Sequence, residues 1–405
     1  MSEKNMQSPY KKIMVFLEFF LAKPFSLLPL NNSIIFESHS DFCDNSKALF
    51  DKVIENNINE KYKIYWLVED IDKFRNKNIT NVKFVSIKRD TILEKVISEL
   101  KNVFLFSQCK YYFYSHRNFA RTKPKKGQNF INLTHGMSLK NSTKVQTVEL
   151  DKISYIAVTS KFSATLRART YQGGESKTRI FGFPRNDLLL SKNDTLNKLY
   201  NINEYNFKKI IVWMPTFRRQ KNSSRNDTGT QKDTDLPILK DKLDLSRLNQ
   251  FLLNNDVLLI VKPHPAQDLK FFNQISTSNV KVLTNKKLIE KGIELYELLS
   301  QSDALITDYS SVYIDYLLTD KPIGFTIDDL KDYDANLGFL VDNPLEYMPG
   351  PKIETVEDIM EFICNIAAEK DDYQKQRQNI RGLFHKYDDN NSSERILEYF
   401  KLIEE

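Results

Sequence analysis

The chain has 405 residues, 41% hydrophobic and 28% charged, with a formal net charge of +6. That length allows two or three domains with an ample core, and the composition excludes disordered, collagen-like and disulfide-scaffold classes. The mild positive balance suits an anionic partner, and three scattered cysteines, Cys43, Cys109 and Cys364, form neither a metal spacing nor a disulfide framework, as expected in a reducing cytoplasm.

The most apolar stretch is Ile13 to Ala22, IMVFLEFFLA. It is about half the roughly 20 residues that a spanning helix needs. It carries Glu18 and lacks a small-residue cleavage site, so a membrane span and a signal peptide are not expected. With Phe16, Phe19, Phe20, Phe25, Leu27 and nearby lysines it reads either as an interfacial amphipathic helix or as a segment packed on the body. Residues 1–30 are set apart on this ground.

Beyond it, short apolar runs alternate with helical patterns. Strands are predicted at Ser33–Ser38, Ile64–Val68, Val82–Val85, Tyr111–Ser115, Phe130–Leu133 and Ser154–Thr159, with helices at Ser46–Asn56, Ile92–Leu100 and Phe162–Thr170. This alternation implies one α/β domain over residues 31–195, with a basic loop at 116–127. The pattern restarts with strands at Lys209–Met214, Val257–Val261, Val280–Leu283, Ala304–Thr307 and Pro322–Phe325 and helices at Leu245–Leu253, Ile293–Ser300 and Val312–Leu318. It marks a second α/β domain over 196–380, interrupted by a polar stretch, Arg219–Asp241, that reads as a surface insertion. Residues 381–405 close on a helix from Ser392 to Ile403, capped by Ser392 or Ser393. Two such halves suggest a ligand cleft between domains.

Polar motifs fall at the predicted strand ends, where open parallel sheets bind ligands. His135 follows FINLT, and His264 follows LLIVK in KPHP, so each half carries one histidine able to move a proton near neutral pH. His39, His116 and His385 have weaker contexts and read as structural or surface residues. Arg185 in GFPRND, Arg218 in PTFRR and Lys262 in KPHP are cations suited to phosphate. Ser310 and Ser311 precede a short helix, as caps or as phosphate donors, and Asp315 lies one helical turn on, on the same face. No G-x-G-x-x-G follows a strand, and there is no P-loop, G-x-S-x-G elbow or zinc spacing. The basic loop lacks aromatic RNA-binding signatures, so nucleic acid is not expected.

Together, THGMSLK, GFPRND, PTFRR, KPHP, SDALITDYSSVYIDY, KPIGF and MPGP, with FES and DNSKALF more weakly, resemble the CDP-glycerol glycerophosphotransferase family in content and order over about residues 33–385. The resemblance implies a GT-B fold, two Rossmann-like domains facing across a cleft. It implies a bacterial transferase, peripheral on the inner face of the cell membrane, that moves glycerol phosphate or a related alditol phosphate from a CDP-alditol to a hydroxyl of a lipid-linked or growing anionic polymer, of teichoic acid, capsule or O-antigen type, and releases CMP. It implies no cofactor and no obligatory metal. It places His135 and His264 on two catalytic histidines, and Thr134, Gly136, Met137, Ser138, Arg185, Pro215, Thr216, Arg218, Lys262, Pro263, Ser310, Ser311 and Asp315 on donor-binding positions. His135 is the expected base, and His264, Lys262, Ser310 and Ser311 would stabilise the leaving group. Thr134 stands where the family usually has tryptophan, Ser138 where it has proline and Lys262 where it has arginine. The alternative is a GT-B glycosyltransferase using a nucleotide sugar for envelope polysaccharide; no paired-glutamate motif of that class is found.

Overall fold

A computed structural model describes residues 23–404 except 26, 40, 89–90, 144–147, 192, 201–206, 217–235, 265–274 and 276. The apolar segment at 13–22 and Arg218 lie outside the described residues.

Two parallel sheets carry the chain. The first contains β1 (Ser33–Glu37), β2 (Lys63–Val68), β3 (Val82–Ser86), β4 (Tyr111–Tyr114), β5 (Asn129–Asn132), β6 (Tyr155–Val158) and β7 (Thr178–Ile180), in the order β3-β2-β1-β4-β5-β6-β7. The second contains β8 (Lys209–Met214), β9 (Val257–Val261), β10 (Val280–Val282), β11 (Ala304–Thr307), β12 (Ile323–Thr326) and β13 (Lys352–Ile353), in the order β10-β9-β8-β11-β12-β13. Each order reverses once, between β1 and β4 and between β8 and β11, which is the doubly wound Rossmann-like pattern. The central strands read as unbroken apolar runs because helices cover both faces: SIIFE in β1 and VLLIV in β9 are buried throughout. The two Rossmann-like units facing across a cleft give the chain a GT-B fold.

The helices used below are α1 (Asp44–Glu55), α2 (Ile92–Gln108), α3 (Lys161–Tyr171), α4 (Lys242–Asn254), α5 (Leu295–Gln301), α6 (Val312–Tyr316), α7 (Val356–Ala367), α8 (Gln374–Phe384) and α9 (Ser392–Tyr399). The helix α9 follows the second sheet in sequence but packs on the first. Phe400 contacts the rings of Tyr111, Phe113 and Tyr155, and its carbonyl accepts from the Tyr111 hydroxyl at 3.1 Å. The cap on α9 comes from Asp187, whose carboxylate accepts from the N–H groups of Ser392 and Ser393 at 2.9 Å each, and not from either serine side chain. This borrowed cap fastens the end of the chain across the junction.

The two halves also meet edge on. Asn141 donates its N–H to the Gly338 carbonyl at 2.9 Å, and Leu340 donates to Leu139 at 2.7 Å. A single antiparallel bridge, Lys140 to Phe339, lies between them.

One expectation is corrected and two features are added. The end of the predicted surface insertion is core: Leu236, Ile238 and Leu239 are buried against the second sheet with Trp213 and Leu248, because a polar run conceals three apolar anchors. The basic loop is anchored, with Phe119 and Ala120 buried and Arg121 held by Glu99 at 2.6 and 2.7 Å. The strands β7 and β13 were not foreseen, since three and two residues are too few to show a pattern.

Candidate active site

The carboxyl ends of the strands of both sheets open onto one cleft of about 1570 Å³. The second sheet supplies Pro215 and Thr216 after β8, Lys262, Pro263 and His264 after β9, and Ser310 and Ser311 after β11. The first sheet supplies His39 after β1, His116 after β4, and His135, Gly136 and Ser138 after β5. Among the described residues, nine lysines and arginines line the cleft against four aspartates and glutamates, so its field favours an anionic ligand.

His135 and His264 thus come from different sheets into one space. The His135 Nδ1 is hydrogen-bonded to the Asp44 carboxylate. Asp44 begins α1 and is almost fully buried. Its other oxygen accepts from Arg185 Nη1 at 2.6 Å. Burial alone would raise the Asp44 pKa, but Arg185 and His135 outweigh it and hold the carboxyl well below its usual range. A fixed anion at Nδ1 selects the tautomer that leaves Nε2 basic, the logic of any carboxylate-oriented histidine.

Arg185 continues the chain of contacts. Its Nη2 donates to Asp315 Oδ2 at 2.7 Å, and the guanidinium lies over the Tyr296 ring at 4.8 Å. Asp315 also accepts from the Tyr296 hydroxyl at 2.6 Å and from Asn186 Nδ2 at 3.2 Å. A buried network therefore runs from α6 and α5 of the second half, through Arg185, to Asp44 and His135 of the first. Gly136 sits against it. A β-carbon there would stand 2.5 Å from Arg185 Nη2 and 3.1 Å from Ser311 Oγ, and the backbone φ of +96° is itself one that glycine tolerates best.

The second half presents a different environment. Burial lowers the Lys262 pKa to about 8, so the ammonium stays mostly charged at pH 7. Its Nζ donates to the Pro263 carbonyl at 3.0 Å. Burial, aided by Lys140, Lys262 and His135, lowers His264 to about 3. The ring is neutral at pH 7 and can donate one N–H to a phosphate oxygen. Thr216 donates its N–H and hydroxyl to Asp308 Oδ2 at 2.8 and 2.7 Å, tying the end of β8 to the end of β11. Ser311 precedes α6 without a side-chain capping bond, and both Ser310 and Ser311 line the cleft.

Of four predicted donor positions, Arg185 and Met137 line the cleft with their side chains engaged elsewhere, and Asp315 and Thr134 lie behind it. Asp315 is fully buried and does not line the cleft; its oxygens are taken by Arg185, Tyr296 and Asn186. Arg185 is neutralised by two carboxylates and acts as a strut between the halves rather than as an open phosphate ligand. Thr134 is buried behind the loop, with φ +59° and a hydroxyl that has no partner among the described residues. Met137 reaches the cleft, but its side chain is 1% exposed and belongs to the core. In sequence, two charged residues one helical turn from a loop look alike whether they face a ligand or each other.

Asp44 and Tyr296 were missed as site residues. Asp44 lies in DNSKALF, whose only signal was a weak motif, and its partner His135 is distant in sequence. Tyr296 carries no local signal at all.

Comparison with known proteins bears on the family and the fold. Residues 20–401 match the family described as CDP-glycerol:poly(glycerophosphate) glycerophosphotransferase. The chain is 26% identical to a teichoic acid poly(glycerol phosphate) polymerase of Bacillus spizizenii, over 96% of this chain and 97% of that one. It is 30% identical to a teichoic acid glycerol-phosphate primase of Bacillus subtilis, over 61% of this chain and 57% of that one. The solved wall teichoic acid polymerase TagF superposes with a TM-score of 0.70 at 21% identity, covering 97% of this chain and 95% of that one, a likeness of fold. The chain belongs to the CDP-glycerol:poly(glycerophosphate) glycerophosphotransferase family.

Proposed function

We propose that this chain transfers glycerol phosphate from CDP-glycerol to a terminal hydroxyl of a teichoic-acid-type polymer and releases CMP. The observation that carries this reading is the convergence of His135, oriented by Asp44, with the buried Lys262 and the nearby His264 on one cleft. The acceptor hydroxyl gives its proton to His135 Nε2 as its oxygen attacks the β-phosphorus. The bond from that phosphorus to the bridging oxygen breaks, and the oxygen leaves as a phosphate oxygen of CMP. Charge that builds there meets Lys262, the His264 N–H and the hydroxyls of Ser310 and Ser311. Asp44 stabilises the imidazolium that forms, and Arg185 holds Asp44.

The donor lies over the second sheet's switch point, and the acceptor enters over the first. The acceptor is lipid-linked or an already growing chain, met at a membrane surface. No helix among the described residues is long and apolar enough to cross a membrane. Because CMP leaves readily and Lys262 supplies positive charge, the reaction proceeds without an obligatory metal.

Purified protein is offered CDP-glycerol, CDP-ribitol and several nucleotide sugars, each with a synthetic glycerol phosphate acceptor. CMP release from CDP-glycerol, undiminished by EDTA, supports the reading. UDP release from a nucleotide sugar, with CDP-glycerol inert, contradicts it.

A further inference from the structure

The second sheet's switch point accounts for the donor. The first sheet has one as well, between β1 and β4, and open sheets bind ligands at such points. The residues that follow those two strands are His39 and His116. Their rings stack at 4.6 Å with an interplanar angle of 23°. The His116 ring is edge-on to His135 at 6.4 Å. All three line the cleft, as does Arg117.

The turn that presents His116 is built, not loose. Glu37, buried at the end of β1, accepts from the His116 N–H at 3.2 Å and from the Arg117 N–H at 3.1 and 3.2 Å. The Arg117 carbonyl accepts from the Tyr112 hydroxyl at 2.7 Å. The Arg117 side chain makes no ion pair among the described residues. Two stacked imidazoles therefore stand at the mouth of the switch point, beside the base, with Arg117 next to them on an anchored backbone.

We infer that His39, His116 and Arg117 form the subsite for the phosphate of the acceptor's terminal unit, which sets the attacking hydroxyl on His135. The inference rests on the proposed function, and it names what that reading leaves open: which residues recognise the acceptor. A terminal glycerol phosphate carries its hydroxyl and its phosphate a few bonds apart, matching the step from His135 to the stacked pair. Burial holds both imidazoles below their ordinary range, His116 at about 4, and Arg117 and His135 oppose positive charge on each, as His39 does on His116. Asp41 and Glu69 on one side and Asp44 on the other favour protonation. A phosphate at the edges of both rings supplies the missing counter-charge, and an N–H bond from each ring to it is charge-assisted.

The test is direct binding without donor, so its result does not depend on the transfer reaction. A synthetic three-unit glycerol phosphate oligomer and its methyl-phosphotriester analogue, neutral but of the same length, are titrated into wild-type protein, His39→Asn/His116→Asn and Arg117→Ala. Wild type should prefer the charged oligomer, and the double variant should lose about a hundredfold of that preference, as expected for two charge-assisted bonds. Arg117→Ala, which keeps both rings, should lose part of it. Affinity for CDP-glycerol should be unchanged in all three. Absence of preference in wild type, or full preference in both variants, overturns the subsite. Failure of CMP release with intact discrimination overturns the transfer reading alone.

Discussion

Arg185 Nη2 lies 2.7 Å from Asp315 Oδ2, and neither side chain is open to solvent beyond a few per cent. The pair joins the two halves of the chain at the point where the His135 loop meets α6. Its consequence is that the orientation of the base depends on the docking of the domains. Replacing Arg185 by Met leaves Asp44 and Asp315 buried without their cation. The expected cost is about 3–5 kcal/mol of stability, the penalty of an orphaned buried charge. Denaturant unfolding measures it. A loss under 1 kcal/mol would show that the network relaxes freely.

Gly136 packs where no β-carbon fits. Gly136→Ala should push Arg185 or Ser311 aside and strain the loop by about 1–3 kcal/mol. Transfer should fall by two orders of magnitude or more, because a displacement of about 1 Å at the reacting groups is enough to cost that much. Steady-state CMP release checks this. Gly136→Ser should be no better.

Lys262 is buried with its pKa brought down to about 8. Phosphate binding stabilises the ammonium, so CDP-glycerol affinity should be full below pH 8 and decline as pH rises past it. In Lys262→Met the affinity should be lower by about 1.5–3 kcal/mol, the worth of a hydrogen bond to a charged group, and flat from pH 7 to 9. Calorimetric titration at three pH values distinguishes the two profiles. Equal pH dependence in both proteins would remove Lys262 from the donor site.

Glu37 is raised by burial to about 8, despite the N–H groups of His116 and Arg117. The folded chain keeps a proton that the unfolded chain releases above its ordinary carboxyl range. The stability held by that proton is complete below pH 4.5 and is lost as pH rises through about 8. Glu37→Gln should remove this slope, and at pH 7 it should gain up to about 3 kcal/mol relative to wild type. Unfolding curves at pH 5 and pH 8 give the comparison. Parallel curves for the two proteins would contradict the assignment.

Eleven of the thirteen described strands were legible because buried parallel strands are written as apolar runs, as in LLIVK before His264. The cleft was legible because Lys262, His264, Ser310 and His135 follow such runs directly. What sequence could not show was direction. Arg185 and Asp315 fall near the cradle, yet face each other. Asp44, which orients the base, is brought to His135 only by tertiary packing. Leu236, Ile238 and Leu239 hid their burial inside a polar run.

Asp44 and His135 act as one unit, joined by the bond from the His135 ring to the carboxylate. CMP release from CDP-glycerol with a glycerol phosphate acceptor is measured for wild type, His135→Ala, Asp44→Asn and the double variant, each checked for folding by thermal unfolding. Both single variants should fall steeply, and the double variant should be no slower than His135→Ala, since an oriented base and its orienter are not additive. Losses that simply multiply, or full activity in His135→Ala, would contradict the central claim.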